Sequence, residues 1–88
     1  MLNELKIGDL VRNEKGKHKN QTFIVVRVEE KFAYVVNGKD ITSERPKKKN
    51  KKHLTKLNGF SIEVQDRLNK GMALGKKTIK RALAENKE

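Results

Sequence analysis

A short run of cations, spaced by small and polar residues, is the part of this chain best suited to chemistry. Residues 15–20 read Lys-Gly-Lys-His-Lys-Asn, which puts Lys15, Lys17 and Lys19 at alternate positions. In an extended loop such side chains face the same way, so the three ammonium groups would face a common ligand. Ammonium groups are compact charges suited to phosphates rather than base edges. Within the same loop, His18 is either a solvated histidine or one that stacks or hydrogen-bonds, and Asn20 completes the candidate site.

A denser basic run follows further along the chain. Residues 41–60 carry seven Lys and Arg against one acid, a net charge of +6 within a total of +11. A charge of this size and sign favours a nucleic-acid partner. A flexible solvated linker and a nuclear localisation signal are the alternative interpretations of such a run. We expect it to form one composite RNA-binding face with the first loop, through Arg45, Lys47, Lys48, Lys49, Lys51, Lys52 and His53.

Composition argues against several other classes of protein. The chain has no cysteine, which excludes disulfides and thiolate zinc sites. His18 and His53 have no evident carboxylate partner, and the sequence shows no nucleophile constellation, phosphate-binding glycine loop or metal-ligand cluster. We therefore expect no enzymatic activity, catalytic residue, metal, cofactor or small-molecule substrate. No apolar stretch is long enough for a membrane span or signal peptide, so we expect a cytoplasmic protein without a membrane partner.

Short segments rich in β-branched residues dominate the first two thirds of the chain. Asn37-Gly38 is a strong two-residue hairpin signal because both residues tolerate positive φ. Several short strands joined by tight turns favour a mainly β fold, a small antiparallel barrel. The predicted strands are residues 10–11, 22–28, 32–36, 39–43 and 53–57, and the basic residues 45–53 are predicted to be a connecting loop.

The strand over residues 22–28 has two unlike faces. Ile24, Val26 and Val28 share one face that carries no charge, so we assign that face to the core. Phe23 and Val25 lie on the other face, which is also mostly apolar and needs cover. The C-terminal segment or a partner would supply that cover.

The last third of the chain has a helical pattern. Ser61 is a candidate N-cap for a short helix that ends before Gly71. A second helix is predicted over residues 76–88, with a narrow apolar stripe of Ile79, Ala82 and Leu83. An isolated helix of this length is marginal in water, so it must dock, bind a partner or fray. We therefore divide the chain into a barrel domain, residues 1–58, and a helical extension, residues 59–88.

The order of these features resembles the KOW motif. The residues that carry the resemblance are Ile7-Gly8-Asp9-Leu10-Val11, Gly16, Lys19 and the apolar run from Phe23. Downstream, Asn37-Gly38, Pro46-Lys47-Lys48-Lys49 and His53-Leu54 are similar to small bacterial KOW proteins related to large-subunit ribosomal proteins of archaea and eukaryotes. The resemblance covers roughly residues 5–57. It implies an SH3-like barrel whose first loop contacts RNA.

One position departs from the KOW pattern. The pattern has glycine after the basic residue of the loop, where this chain has Asn20. Glycine serves there because the backbone is left-handed, and asparagine is among the few other residues that tolerate this conformation. The alignment therefore predicts a positive φ at Asn20.

Three functions remain open at this point. The first is binding of structured RNA, ribosomal RNA above all, by a ribosome-associated or ribosomal-type protein in translation. The second is an SH3-like module, as in transcription elongation factors, that docks a protein through the C-terminal helices and the second apolar strand face. The third is general DNA binding, which fold and charge permit although no base-reading helix or ribbon is evident.

Overall fold

One antiparallel sheet and two helices make up the part of the chain that the computed structural model describes, residues 4–85. The strand order in the sheet is β4-β3-β2-β1-β5, which places β2 at the centre. The elements are β1 (Asp9–Asn13), β2 (Thr22–Val28), β3 (Phe32–Val36), β4 (Lys47–Asn50), a 3₁₀ turn (Lys51–His53), β5 (Leu54–Phe60), α1 (Ile62–Asn69) and α2 (Lys76–Glu85).

The sheet curls because its two edge strands are also neighbours in sequence. Only the 3₁₀ turn separates β4 from β5, so the opposite edges must approach each other at that end. The backbone N–H of Glu14, just after β1, donates to the carbonyl of His53 at 2.8 Å. Within residues 4–85 no strand pairing joins β4 to β5, so the sheet is not a closed barrel. The mainly β prediction is confirmed, and the predicted closure is not seen.

The connection after β3 differs from the predicted hairpin. The side-chain oxygen of Asn37 accepts hydrogen bonds from the backbone N–H groups of Lys39, at 2.8 Å, and Ile41, at 3.1 Å. Asparagine thereby closes a compact turn, and residues 39–43 form no strand. The predicted strand there is wrong, and the fourth strand is Lys47–Asn50, inside the run that was predicted to be a loop. It pairs with the otherwise open edge of β3.

The central strand is buried on both faces for part of its length. Phe23, Ile24 and Val25 are each fully buried, whereas Val26 and Val28 are only partly buried. Ile24 thus lies in the core as assigned, Val26 and Val28 pack against the core only in part, and the other face of the strand is covered. Two features account for this. A register shift between Val25 and Arg27 interrupts the alternation of side chains, and both helices contact β2.

The C-terminal helices supply the cover that the strand needs. The Ser61 hydroxyl accepts a hydrogen bond from the N–H of Val64 at 3.2 Å, which confirms the predicted cap. Val64 from α1, with Ile79 and Ala82 from α2, belongs to the same apolar core as the sheet. The predicted domain boundary at residue 58 falls within β5. Residues 86–88 of the second predicted helix lie outside the described residues.

Neither α1 nor α2, the two α-helices within residues 4–85, is long and apolar enough to cross a bilayer.

Candidate nucleic-acid interface

The loop between β1 and β2, residues 14–21, is held in a fixed shape by its own backbone. At its base, the Asn13 N–H donates to Gln21 at 2.9 Å, and the Asn20 N–H donates to the Asn13 carbonyl at 2.6 Å. Gly16 has φ +94° and Asn20 has φ +72°. The predicted left-handed conformation of Asn20 is thus present. The loop therefore presents its side chains from a compact, hydrogen-bonded backbone.

The cations of this loop differ in exposure. Lys15, Lys17 and Lys19 are exposed, whereas His18 is half-buried. The His18 ring meets the Phe23 ring edge-on, with the ring centroids 6.1 Å apart. The contact with a fully buried core residue anchors His18 at the base of the basic surface. It is therefore not simply a solvated side chain.

The second basic run reaches the first loop through Lys49. Its ammonium nitrogen lies 3.7 Å from the position that a Cβ would take on Gly16. Lys49 stands opposite Ala33 in the pairing of β3 with β4. Because neighbouring side chains of a strand point to opposite faces, Lys48 turns away from this contact. The nitrogen of Lys48 lies 4.4 Å from the centre of the Phe32 ring.

The pKa of His53 is shifted by the groups that surround its ring. Partial loss of solvent around its ring lowers the pKa of His53 below its ordinary value. Three ammonium groups lower that pKa further, because a like charge disfavours protonation: those of Lys15, Lys52 and Lys49. The loop, β4 and the 3₁₀ turn therefore converge, and we call Lys15, Lys49, Lys52 and His53 the cationic cluster.

Ion pairs are unevenly distributed among the lysines and arginines of the described residues. The paired ones all lie outside the two basic runs: Lys6, Arg12, Arg27, Lys56, Arg67, Lys70 and Arg81. Within residues 4–85, no lysine or arginine of residues 15–19 or 45–52 has a carboxylate within ion-pair distance. The two basic runs thus form the largest group of cations without an ion pair in this part of the chain, although Glu14 lies near Lys19 and Asp40 lies near Lys17.

The remaining predicted site residues take other positions. Arg45 lies just before β4, Lys47 is the first residue of β4, and both are exposed. Lys51 is the first residue of the 3₁₀ turn. The side-chain oxygen of Asn50 accepts from the Lys52 N–H at 3.0 Å, which fixes the start of that turn. The structure therefore brings part of the second run to the loop and spreads the rest along the sheet edge.

Asp40 was not predicted and lies beside the loop. The Asn37 side-chain amide donates to Asp40 at 3.1 Å, and this bond is the main cause that lowers the pKa of Asp40. The charges of His18 and Lys17 lower it further. Asp40 therefore places a carboxylate at the border of the cationic surface, as Glu14 does near Lys19. No local sequence pattern indicates the position of Asp40, since its contact joins two separate loops.

The same surface offers no cluster for a metal ion. No group of three or more His, Cys, Asp or Glu side chains with suitable geometry occurs in residues 4–85. The chain was also compared with known proteins, and it matches no protein-family model and no curated protein.

Proposed function

We propose that this protein binds RNA by holding phosphate groups on the cationic cluster and the adjoining basic residues. The observation that carries the proposal is the division of the cations. None of the nine lysines and arginines of the loop and the lysine run has an ion pair within residues 4–85, whereas seven of the twelve elsewhere in those residues do. Lysines that lie close together without carboxylates repel one another, and a bound polyanion removes that repulsion.

Recognition through the RNA backbone fits the residue types better than recognition of bases. The cluster holds lysines, which act as point charges toward phosphates, and no arginine fork. Phe32 and Tyr34 are half-buried, and each ring lies beneath a cation, Lys48 and Arg27 respectively. Few rings are therefore free to stack on unpaired bases. A folded RNA recognised by its shape and phosphates is the expected ligand.

The resemblance to KOW proteins supplies the more specific part of the proposal. It implies ribosomal RNA of the large subunit, a role in translation and a cytoplasmic location. The curled five-stranded sheet and the left-handed Asn20 are compatible with an SH3-like KOW arrangement that stays open between β4 and β5. Sedimentation of a cell lysate tests this part. Co-migration with large subunits that is lost at high salt is expected, and migration free of ribosomes at low salt would contradict it.

A protein-docking module is the weaker candidate. The surfaces that would serve it, the second face of β2 and the stripe on α2, are largely covered within the chain. Val25 and Ile79 are fully buried, and Leu83 is half-buried. Ile62 and Met72 are the exposed large apolar side chains among the described residues. These two give little basis for a large apolar interface.

Salt dependence of RNA binding tests the proposal directly. If six lysines each neutralise one phosphate, log affinity falls against log salt with a slope of about −4 for a single-stranded RNA and about −5 for a duplex. Neutralising Lys15, Lys49 and Lys52 with glutamine should reduce the size of that slope by about 2 for the single strand and about 3 for the duplex. The affinity at low salt should fall accordingly.

A matched control removes the same charge from another part of the surface. Arg27, Arg67 and Lys70 are each paired with a carboxylate, and exposed pairs of this kind contribute little to stability. Replacing these three with glutamine lowers the net charge equally and should leave the slope near its original value. Equal loss of affinity in the two triple variants would show attraction by net charge alone and would contradict the proposed site.

A further inference from the structure

The helix α2 has one apolar face and one cationic face. Thr78, Ile79 and Ala82 face the core and are buried. The exposed side carries Lys76, Lys77, Lys80 and Arg81. Arg81 pairs with Glu63 at 2.6 Å, whereas none of the three lysines pairs with a carboxylate within residues 4–85. The lysines on the exposed side of α2 therefore resemble those of the cationic cluster, because neither group forms ion pairs within residues 4–85.

Helix stability does not account for these lysines. Lys76 and Lys77 occupy the first turn of α2, and that turn holds no acidic residue. Positive charge is unfavourable at a helix N-terminus because the unpaired N–H groups there already carry partial positive charge. Acidic side chains would stabilise this position, so the lysines weaken the helix that carries them. A bound anion would reverse that effect.

The turn after β3 lies near both α2 and the basic loop. A Cβ on Gly38 would lie 3.2 Å from Cγ of Lys80 and 3.1 Å from Cγ2 of Ile79, so α2 rests on the turn after β3. The same turn carries Asp40, whose pKa is lowered by the Asn37 hydrogen bond and by the charges of His18 and Lys17. The turn thus contacts α2 through Gly38 and carries Asp40 near the loop.

We propose that the exposed side of α2, formed by Lys76, Lys77 and Lys80, is a second contact surface for the phosphates of the same RNA. This inference rests on the proposed function and extends it. The occupant is a polyanion because the exposed side is cationic, while the apolar side is already used in the core. A helix of ten residues is about 15 Å long, so the RNA must extend past the loop to reach the far end of α2.

Two double variants separate this surface from net charge. Lys76→Gln with Lys77→Gln removes two unpaired cations of α2, and Arg67→Gln with Lys70→Gln removes two paired cations of α1. Both lower the net charge by the same amount. Binding is measured at several salt concentrations, with an RNA duplex of about 16 base pairs, the length that double-stranded RNA-binding domains span. The α2 variant should reduce the size of the salt slope by about 2, and the α1 variant should not change it.

The outcomes distinguish this inference from the proposed function. If the unaltered protein fails to bind RNA, both are overturned. If it binds and the α2 variant behaves like the α1 variant, this inference alone is overturned and the cationic cluster stands. Poly-glutamate is added as a competitor at equal charge concentration. Displacement of the RNA by poly-glutamate would assign the surface to an acidic protein and overturn the inference, whereas retention of the RNA supports it.

Discussion

The ammonium group of Lys49 lies 3.7 Å from the point at which a side chain on Gly16 would begin. A strand in the middle of the chain thereby meets the tip of a loop near its start. The contact follows from the curl of the sheet, because the 3₁₀ turn after β4 leads directly into the strand beside β1. Two basic segments that are separate in sequence become one surface.

Gly38 and Gly71 provide a test of how tightly α2 packs on the turn after β3. Both have similar left-handed φ values, +77° and +73°. A Cβ at Gly71 would have no neighbour within 4 Å among the described residues, whereas at Gly38 it would lie 3.1 Å from Ile79. Gly71→Ala should therefore reduce the free energy of unfolding by about 1–2 kcal/mol, from backbone strain alone. Gly38→Ala should lose a further ~1–3 kcal/mol from overpacking.

Urea denaturation of the two glycine variants measures this difference. The unaltered protein and both variants should unfold in one transition, which permits a direct comparison of midpoints. Equal loss of stability in the two variants would show that α2 moves to admit the methyl group at Gly38 without a further loss of unfolding free energy. The close approach of α2 would then not constrain the turn.

Asp40 is expected to weaken RNA binding. Its carboxylate lies close enough to His18 and Lys17 for their charges to lower its pKa, so it competes with phosphate for the same cations. Asp40→Asn keeps an oxygen that can accept from Asn37 and removes the charge. Affinity for RNA should rise about twofold to fivefold, the size of one exposed charge contact.

A second carboxylate serves as the control for that prediction. Asp66 on α1 pairs with Lys70 at 3.1 Å, and Asp66→Asn changes the net charge of the protein equally. Filter binding at moderate salt should show little change for this variant. A similar gain in both variants would mean that only total charge matters, and a loss in Asp40→Asn would mean that the carboxylate orders the turn.

The pH dependence of binding should follow His53. In the folded protein, its pKa lies below the ordinary value, through burial and the charges of Lys15, Lys52 and Lys49. The unfolded chain therefore binds the proton more readily, and this contribution to stability, complete above about pH 6.5, is lost as pH falls through the folded pKa. A phosphate bound at the cluster favours the protonated ring. Affinity for RNA should therefore increase as pH falls from about 8 to 5.5.

Substituting each histidine in turn shows which of the two causes the increase in RNA affinity at acid pH. His53→Gln should flatten the increase in RNA affinity at acid pH, measured by fluorescence anisotropy. His18→Gln should retain an increase, since His18 packs on Phe23 and is not among the groups that shift the pKa of His53. A pH dependence that survives in His53→Gln at full size would contradict a phosphate beside this ring.

Local sequence patterns were sufficient to predict the strands that are rich in β-branched and aromatic residues. The β-branched and aromatic segments at residues 22–28 and 32–36 form strands with the predicted bounds, and Ser61 caps α1. In Asn37-Gly38, Gly38 has positive φ but Asn37 does not, so the pair does not form the predicted two-residue hairpin turn. The path of the chain depends instead on the Asn37 side chain, which accepts hydrogen bonds from the N–H groups of Lys39 and Ile41.

No local sequence pattern predicts a strand at β4. Lysine and asparagine are poor strand formers, so a run of three lysines and an asparagine predicts a loop. The open edge of β3 overrides this preference by pairing its backbone with Lys47–Asn50. The positions of Asp40 beside the loop and of α2 on Gly38 likewise depend on contacts between distant segments. Composition predicted a basic surface, but only the fold could show how far it extends.

The edge position of β4 has a consequence for how copies of this protein behave toward each other. An edge strand presents backbone donors and acceptors that a strand of another molecule can pair with, and lysines at such an edge prevent this by repulsion. The exposed side chains of Lys47 and Lys48 place such charge along β4. The residues proposed to attract RNA are thus also the ones that oppose aggregation. RNA that neutralised them would have to shield the same edge from self-association.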